Sequence, residues 1–240
     1  MIKYNNNTIN DWDFGTSNIK KVYRNNSVCY YKISGTPPRL PSGYTEVEYI
    51  ENVSPNMAYI DTNFQPNQDT RILTDIQIVT STDYGKLFSS GQWDGLNAIQ
   101  LQYEVGVAGT LLIDWGTATG HYNTNINGDY NRHTYDWDKN NFYLDGTLIA
   151  STTYGNFQCT CNLLIFRASS TSCAPTMHSE EVEFAKLFSF KIYDDGTLVR
   201  DLVPCKRDND SMVGMYDLVN DVFYYPPNYQ SYQMVAGPKV

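Results

Sequence analysis

The sequence contains no apolar stretch long enough to cross a membrane. Nowhere do about 18 consecutive apolar residues occur. The opening stretch, MIKYNNNTINDWDFG, also lacks the apolar core that a secretory signal needs. These two absences predict a protein that is made in the cytoplasm without a signal peptide and that does not insert into membranes.

Basic residues and helix-forming residues are scarce. The 240 residues include 17 Lys and Arg against 26 Asp and Glu, which gives a formal net charge of -9. Because such a surface repels a phosphate backbone on average, nucleic acid is not an expected partner. Leu, Glu, Lys and Ala are few, whereas 20 Tyr, 4 Trp and many Asn and Thr favour strands and turns over helices.

Cysteine is limited to an odd number of residues, without the dense spacing of a disulfide-stapled secreted fold. The five are Cys29, Cys159, Cys161, Cys173 and Cys205. This usage predicts mostly reduced thiols. One alternative is a zinc site in which His178 joins Cys159, Cys161 and Cys173, but the spacing is not a standard one. A Cys-x-Cys pair in a strand is more often a pair of small packed side chains, so no metal is expected.

Alternation of apolar and polar residues persists through most of the chain. In IQLQYEV (99–105) the apolar residues share one face, and Gln100, Gln102 and Glu104 share the other. The first face is expected to be core and the second to meet solvent. No segment has a helical period over a helical length. About a dozen short strands separated by turn signals predict an antiparallel sandwich or barrel.

Two further runs, RILTDIQIV and KLFSFKIY, place apolar trios on a predicted core face. The trios are Ile72, Ile76 and Ile78 in the first run, and Phe188, Phe190 and Ile192 in the second. Both runs are therefore expected to be strands with one buried face.

Nearly the same ten residues occur twice, as NFYLDGTLIA (141–150) and KIYDDGTLVR (191–200). Each copy has an Asp-Gly pair between strand-forming residues, which is the strongest short-range signal of a hairpin. With Asp and Gly in the central turn positions, the strand residues pair outward from the turn. The predicted pairs are Tyr143 with Leu148, Phe142 with Ile149, Tyr193 with Leu198, and Ile192 with Val199. The repetition predicts similar strand pairing and does not by itself imply chemistry.

The chain is predicted to consist of an amino-terminal segment (1–35), a linker (36–43) and a large domain (44–240). The linker lies in SGTPPRLPSG, whose prolines and glycines cannot continue a strand ladder. The segment before it is too small to hold much of a core by itself and is expected to pack on a partner.

The amino-terminal segment contains IKKVYRNNSVCYYKI (19–33), which predicts a hairpin. The chain is expected to turn at Asn25 and Asn26. Val22 and Tyr23 would then face the returning strand.

Four stretches of the large domain resemble one known family in wording and in order. They are LPSGYTEVEYIENVSPNMAYIDTNFQPNQDTRILTDIQ (40–77), RHTYDWDKNNFYLDGTLIA (132–150), KLFSFKIYDDGTLVRDLVPCKR (186–207) and VGMYDLVNDVFYYP (213–226). They resemble the concanavalin A-like, laminin G-like jelly-roll domains of phage virion proteins and of surface proteins of gut bacteria. The leader (1–33) resembles the segment that structural proteins of gut phages, crAss-like ones among them, place ahead of such a domain.

This resemblance implies a fold and a class of function. The implied fold is all-β: a two-sheet antiparallel jelly-roll sandwich, concanavalin A-like, preceded by a small N-terminal β-hairpin anchor. Trp137 and Tyr143 fall on family positions that are mostly core. Members of the family serve as binding modules, often for glycans, and as attachment or decoration parts of virions.

We therefore expect a non-enzymatic phage virion structural protein that displays a jelly-roll domain for host glycans. A head fibre or capsid decoration is expected before a tail fibre, located in the virion and held to other virion proteins by the amino-terminal segment. The expected state is a homo-oligomer, a trimer before a dimer. The anchor candidates are Tyr4, Trp12, Phe14, Val22 and Tyr23. The alternatives are a free-standing carbohydrate-binding module and a β-glucanase-like glycoside hydrolase.

Sugar binding needs an aromatic surface for stacking and fixed polar groups for hydroxyls. GQWDG (91–95) and GHYNTN (120–125) supply both in predicted loops. The candidate ligand-binding residues are Trp93, Asp94, Tyr122 and Asn123. The same loop aromatics could equally fill a contact between subunits.

The stretch EVEYIE (46–51) echoes the Glu-x-Asp-x-x-Glu strand of glucanases related to this fold. In those enzymes, carboxylates on one face act as nucleophile and general acid. Here Glu46 and Glu48 share a face, whereas Glu51 falls on the opposite one. No enzymatic activity is expected.

Calcium, which some members of the family bind, needs several converging oxygens. Asp61, Asp94 and Asp114 are the candidates. They form no recognisable ligand set, so no cofactor is expected.

Overall fold

The computed structural model divides the chain into two units, Met1–Arg39 and Leu40–Val240. In the first unit it describes Arg39 and the backbone of residues 2–4, 7–9, 19–24 and 27–32. In the second it describes residues 40–53, 58–80, 85–91, 98–104, 110–116, 118–123, 130–153, 155–168, 173, 184–227, 231 and 233–240. For residues 80, 103, 104, 110 and 118–123 it describes the backbone alone.

The first unit contains two antiparallel strand pairs. They are β1 (Ile2–Tyr4) with β2 (Asn7–Ile9), and β3 (Ile19–Arg24) with β4 (Ser27–Lys32). In the second pair Val22 is opposite Cys29 and Tyr23 is opposite Val28, which confirms the predicted hairpin. The turn residues, 25 and 26, lie outside the described residues.

All other strands that the structure describes belong to the second unit. They are β5 (Tyr44–Glu46), β6 (Ile50–Glu51), β7 (Ile60–Asp61), β8 (Thr70–Thr80), β9 (Lys86–Ser90), β10 (Ala98–Glu104), β11 (Thr110–Gly116), β12 (Ala118–Asn123), β13 (Arg132–Asp138), β14 (Asn141–Leu144), β15 (Thr147–Ser151), β16 (Leu164–Ile165), β17 (Phe184–Asp194), β18 (Thr197–Arg207), β19 (Val213–Asp217), β20 (Val222–Tyr224) and β21 (Val235–Ala236).

These strands form two antiparallel sheets. The smaller sheet has the order β12-β11-β10-β9-β16-β7. The larger sheet follows the path β15-β14-β13-β8-β17-β18-β19-β20, with β5, β6 and β21 paired at its side. The predicted all-β, two-sheet antiparallel sandwich is confirmed. Among the described residues there is no helix of the length and hydropathy needed to cross a membrane.

The core lies between the two sheets. Trp115 of β11 stacks on Trp137 of β13 with ring centroids 4.8 Å apart, and Phe88 of β9 meets Phe190 of β17 edge to face at 5.8 Å. All four side chains are at most 1% exposed. Trp137 is therefore a core residue, as expected, whereas Tyr143 is half-buried on the outer face of the larger sheet.

Strand β8 shows the predicted alternation. Ile72, Ile76 and Ile78 are buried and point into the core. Strand β8 lies between β13 and β17 in the larger sheet, and its buried residues belong to the same core cluster as Leu101 and Ile113 of the smaller sheet.

The prediction that Phe188 is a core residue is wrong because β17 contains a bulge. The register with β8 shifts between Leu187 and Ser189, so Leu187 is buried and Phe188 is not. Phe188 instead lies under Arg132, whose guanidinium carbon is 3.8 Å from the ring centroid. Because a bulge adds one residue and reverses the alternation, the apolar letters of KLFSFKIY could not reveal this change.

Two of the three polar side chains of β10 are buried, contrary to the prediction, and the third, that of Glu104, lies outside the described residues. Gln100 and Gln102 are each only 2% exposed. Gln100 donates a hydrogen bond to Asp114, and Gln102 accepts one from Lys86. Polar side chains can be buried when they are hydrogen-bonded to each other, so alternation alone does not predict exposure.

Both Asp-Gly hairpins form, with the same backbone geometry. The φ angle is 49° at Asp145 and 45° at Asp195, and it is 76° at both Gly146 and Gly196. Positive φ at both central positions is the signature of a type I′ turn, whose twist matches that of the strands.

The register beyond the turns differs from the prediction in both hairpins. The Tyr–Leu pairs, which are the second pairs from the turns, Tyr143 with Leu148 and Tyr193 with Leu198, are confirmed. The next pairs are Phe142 with Ala150 and Ile192 with Arg200, not Phe142 with Ile149 and Ile192 with Val199. A bulge at the same place in each hairpin accounts for the shift of one residue. The displaced Ile149 and Val199 are half-buried and pack on the core.

The sandwich unit includes the end of the predicted linker. Leu40 is 6% exposed and packs with Val203, Cys205 and Tyr216. Because Leu40 packs against these residues of the larger sheet, the last residues of the predicted linker, from position 40, belong to the sandwich.

Candidate functional site

A row of polar side chains crosses the outer face of the larger sheet near its rim. Asp138 of β13 is opposite Arg71 of β8, and Arg71 is opposite Tyr193 of β17. Their neighbours Ile72 and Trp137 point into the core, so the row faces away from it. All three side chains of the row are half-buried.

Arg71 is fixed in this row by a fork of hydrogen bonds to Asp136. Nε donates to Oδ1 at 2.8 Å, and Nη2 donates to Oδ2 at 2.7 Å. These hydrogen bonds raise the pKa of the Arg71 guanidinium, which therefore stays charged. Its carbon lies 5.4 Å from the ring centroid of Tyr193, within cation-π distance.

Three turns around this row line a half-open groove of about 360 Å³, which we call the rim groove. The turn before β8, the β13-β14 turn and the β17-β18 hairpin each contribute lining residues. The lining residues are Asp69, Arg71, Asp138, Lys139, Tyr193, Asp195 and Gly196. The volume lies within the range of small-molecule sites, about 300 to 1,000 Å³.

Hydrogen bonds connect the three turns to one another. The backbone N–H of Lys139 donates to the carbonyl of Thr70 at 3.3 Å, and that of Asp195 donates to the carbonyl of Asp69 at 3.2 Å. The turn before β8 is tied further to β17 because Asn67 Nδ2 donates to Asp194 Oδ1 at 2.9 Å. The groove walls are thus set before any ligand binds, which lowers the entropic cost of binding.

Several polar groups of the rim groove retain hydrogen-bonding capacity. Within the part of the chain that the structure describes, no side-chain hydrogen bond reaches the Asp138 carboxylate or the Tyr193 hydroxyl. Nζ of Lys139 lies 3.4 Å from Asp69 Oδ1 and 3.9 Å from Asp195 Oδ1. These are loose ion pairs, so the ammonium keeps donors for a ligand.

A second polar cluster lies on the outward face of the smaller sheet. It contains the pairs Lys86 with Gln102 and Gln100 with Asp114, all at most 4% exposed. Ser89 lies on the same face and donates through Oγ to the carbonyl of Arg167 at 2.7 Å. These hydrogen bonds offset the cost of removing the polar groups from water.

The predicted sugar-binding residues are only partly within the described structure. Trp93 and Asp94 lie outside the described residues. Tyr122 and Asn123 were predicted to lie in a loop, but they belong to β12, the edge strand of the smaller sheet. Pairing with β11 extends through both positions, which explains the difference. Only their backbone is described, so their ligand-binding role stays a prediction.

The predicted anchor residues are also described in part. Tyr4 belongs to β1, and Val22 and Tyr23 belong to β3. Trp12 and Phe14 lie outside the described residues. Anchoring through these residues stays a prediction.

The prediction of mostly reduced cysteines is wrong for one pair. Cys161 and Cys173 form a disulfide, with Cα atoms 5.0 Å apart. Disulfide sulfurs cannot act as thiolate ligands, which removes the zinc alternative with Cys159 and His178, the latter outside the described residues. Cys159 and Cys205 are free and buried, and burial raises the pKa of their thiols to about 11 and about 12 respectively. Neither is a reactive thiolate at neutral pH.

The carboxylates of EVEYIE do not lie in one strand. Strand β5 ends at Glu46, Glu51 belongs to β6, and Glu48 is exposed between them. A glucanase needs two carboxylates at a fixed separation across the scissile bond. The expected lack of enzymatic activity stays a prediction.

The calcium candidates are not brought together. Asp61 in β7 and Asp114 in β11 are four strand positions apart in the smaller sheet, or about 19 Å at the usual spacing. Asp94 lies outside the described residues. In the portion of the chain that is described, no group of three or more His, Cys, Asp or Glu is arranged to hold a metal ion.

One of the segments that line the rim groove stands out in the sequence, but no pattern in the sequence indicates a groove there. The hairpin KIYDDGTLVR contributes Tyr193, Asp195 and Gly196, which the pattern indicates only as strand and turn residues. The other lining residues come from positions 69–71 and 138–139, and only the strand order places them beside the hairpin. The repeated Asp-Gly motif was the one local signal.

Comparisons with known proteins support the fold. No protein-family model matches the chain, and no curated protein matches it either. A candidate carbohydrate-binding protein from Bacteroides ovatus has a TM-score of 0.53 at 10% identity, over 80% of this chain. The chain spans 60% of the length of that protein. A heptameric SAP-like pentraxin from Limulus polyphemus has a TM-score of 0.47 at 8% identity, over 83% of this chain and 97% of the pentraxin.

At 10% identity, the similarity to the Bacteroides ovatus protein establishes the fold alone. The chain is an all-β jelly-roll sandwich protein.

Proposed function

We propose that this chain is a non-enzymatic structural protein of a phage virion, a head fibre or capsid decoration, whose jelly-roll domain binds host glycans. Residues 1–35 anchor it to other virion proteins. The protein is a homo-oligomer, a trimer before a dimer, because several anchors buried together provide more contact area than one.

Glycan binding is supported chiefly by the rim groove. It is preformed, and it combines one aromatic ring with carboxylate and ammonium groups. Sugar recognition needs this combination, since the ring covers C–H surface and the polar groups bind hydroxyls. The sandwich fold that the chain shares with the Bacteroides ovatus protein agrees with this role.

The virion role is supported by the sequence resemblance of both parts of the chain to phage structural proteins. The division into a small unit up to residue 39 and a sandwich from residue 40 agrees with an anchor and a displayed domain. Deletion of residues 1–35 tests this role. The shortened chain should stay folded, by circular dichroism, but should be absent from purified particles.

Continued incorporation of the shortened chain would contradict the anchor. A free-standing carbohydrate-binding module would bind a glycan array equally well with and without the leader and would not be found in particles at all.

Lack of enzymatic activity is tested by incubation with β-glucans and other polysaccharides. The expected result is no release of reducing sugar. Cleavage that is lost on Glu46→Gln or Glu48→Gln would contradict the proposal and favour a glycoside hydrolase.

A further inference from the structure

The rim groove offers three complementary contacts to a pyranose ring. Tyr193 presents aromatic surface and a hydroxyl, and Asp138 presents a half-buried carboxylate that can accept from two sugar hydroxyls. Lys139 presents an ammonium that can donate to a ring or hydroxyl oxygen. Asp138 and Lys139 lie on one side of β8 and Tyr193 lies on the other, about 10 Å apart at the usual strand spacing. Both sides are hydrogen-bonded to β8 or the turn before it, so the three groups are held in place around one ligand.

The charges of the rim groove disfavour an anionic ligand. Three carboxylates line it, against one guanidinium and one ammonium. The guanidinium of Arg71 is already paired with Asp136 at 2.7 Å. A sugar acid or sulfate would therefore meet an excess of negative charge, on a chain whose net charge is -9.

A cationic ligand is disfavoured for a different reason. Recognition of an ammonium group uses aromatic faces, and the guanidinium of Arg71 already lies 5.4 Å from the ring centroid of Tyr193. The ammonium of Lys139 also lines the groove. Because Lys139 also faces Asp69 and Asp195 at 3.4 and 3.9 Å, the ring and two of the three carboxylates already have a cation of the chain beside them.

We infer that the rim groove is the saccharide site and that its ligand is a neutral sugar. Tyr193 stacks on the sugar, Asp138 accepts hydrogen bonds from its hydroxyls, and Lys139 donates to its oxygens. This inference rests on the proposed glycan binding and assigns it a place and a ligand class. It locates the site at the rim of the larger sheet rather than at Trp93 and Tyr122.

The repeated hairpin supplies a matched control for this site. Tyr143 occupies the same place in NFYLDGTLIA that Tyr193 occupies in KIYDDGTLVR, one pair from the turn and opposite a leucine. Both side chains are half-buried. Tyr143 does not line the rim groove, although it is directly opposite Asp136, the partner of Arg71. Its removal therefore changes a similar amount of surface without removing a lining side chain.

The test uses the full-length chain and isothermal titration. The probes are neutral oligosaccharides of hexoses and N-acetylhexosamines, with sialylated oligosaccharides as the anionic comparison. Tyr193→Ala and Asp138→Ala should each weaken binding of a neutral probe by about tenfold or more, whereas Tyr143→Ala should stay within about twofold. Thermal unfolding checks each variant. Lys139→Ala, at a side chain 47% exposed, provides a second test if Tyr193→Ala does not fold.

Four outcomes are decisive. Selective loss in the groove variants supports the inference. Neutral probes that bind all variants equally would overturn the groove and leave glycan binding in place. Preference for the sialylated probes would overturn the neutral ligand class. If the unmodified chain binds no saccharide, both the groove inference and the glycan part of the proposed function fail, while the anchor stands or falls with the particle experiment.

Discussion

The two Asp-Gly hairpins have nearly the same sequence and the same local geometry, yet they lie in different surroundings. Both have type I′ turns, and both have a bulge directly after the second cross-strand pair from the turn. The first hairpin, β14-β15, ends at the edge of the larger sheet. The second, β17-β18, lies inside that sheet, with strands of 11 residues each. Local sequence therefore determines turn and register, whereas distant partners determine what each hairpin contacts.

The clearest difference is at the residue after the bulge. Ala150 of the first hairpin is buried in the core. Arg200 of the second donates hydrogen bonds to the carbonyls of Thr62 and Asn63, next to β7 of the other sheet. Its Nε also lies 3.6 Å from the fully buried carboxylate of Asp217. The residue after the bulge thus packs in the core in the first hairpin and connects the two sheets in the second.

Replacement of this link should have the largest effect on stability. Arg200→Ala removes the hydrogen bonds between sheets and the cation beside Asp217, so the free energy of unfolding should fall by about 3 kcal/mol. Leu148→Ala, at a side chain 52% exposed in the first hairpin, is the control and should change it by less than about 0.5 kcal/mol. Urea denaturation measures both. Equal losses would contradict the difference between the hairpins.

Shortening of the bulge residues tests what the hairpins share. Ile149→Ala and Val199→Ala each remove apolar surface that packs on the core. Each should lower the free energy of unfolding by about 1 to 2 kcal/mol, less than at a fully buried site. The predicted register has no bulge and would pair Ile149 with Phe142 and Val199 with Ile192. Without a bulge they would thus be opposite buried residues, on the core face. A loss of about 3 kcal/mol or more at either position, again by urea denaturation, would therefore argue against a bulge there.

The turn glycines should respond alike. Gly146 and Gly196 both have φ of 76°, and an added Cβ would meet no atom within 4 Å at either site. The cost of Gly→Ala is therefore backbone strain alone, about 1 kcal/mol in each hairpin. Thermal unfolding of the two variants should give the same change in Tm. A clear inequality would show that the turns are not equivalent.

Acid should destabilise the protein through Asp145 of the first hairpin. This is the smallest of the four expected changes in stability. Burial raises the pKa of this carboxyl, but hydrogen bonds with His133 and from the backbone N–H of Thr134 outweigh burial and lower it. Because the folded pKa lies below the unfolded one, the stabilisation is present above the unfolded pKa and is lost as pH falls through the folded one. Since the carboxylate is 51% exposed, the effect is a few tenths of a kcal/mol after screening.

The measurement is stability against pH from about pH 6 to pH 2. Asp145→Asn should flatten the profile slightly at the acid end, and His133→Ala should do the same because it removes the hydrogen-bond partner. Profiles that run parallel to that of the unmodified chain would contradict the assignment.

Local patterns were sufficient for the features that depend on neighbouring residues. The Asp-Gly turns, the first cross-strand pairs and the buried face of β8 follow from turn chemistry and from the two-residue period of a strand. The all-β sandwich follows from many such segments together. The bulges could not be predicted in this way, because an alternating pattern gives no sign of an inserted residue. Phe188, which was predicted to be a core residue and is not, is an example.

Features that depend on distant partners could not be predicted in this way. Gln100 can be buried because Asp114 of the next strand accepts its hydrogen bond. Cys161 and Cys173 bond because the fold brings their Cα atoms together. The rim groove needs strand β8 between β13 and β17, an order that the sequence does not express.

Saccharide-dependent shifts of backbone amide resonances, recorded on the full-length chain with a neutral oligosaccharide, test the central claim most directly. We predict that the shifts concentrate at residues 69–71, 138–139 and 193–196, and that residues 143–148 of the matching hairpin stay unchanged. Shifts centred on residues 91–95 and 120–125, or spread equally over both hairpins, would contradict a saccharide site in the rim groove.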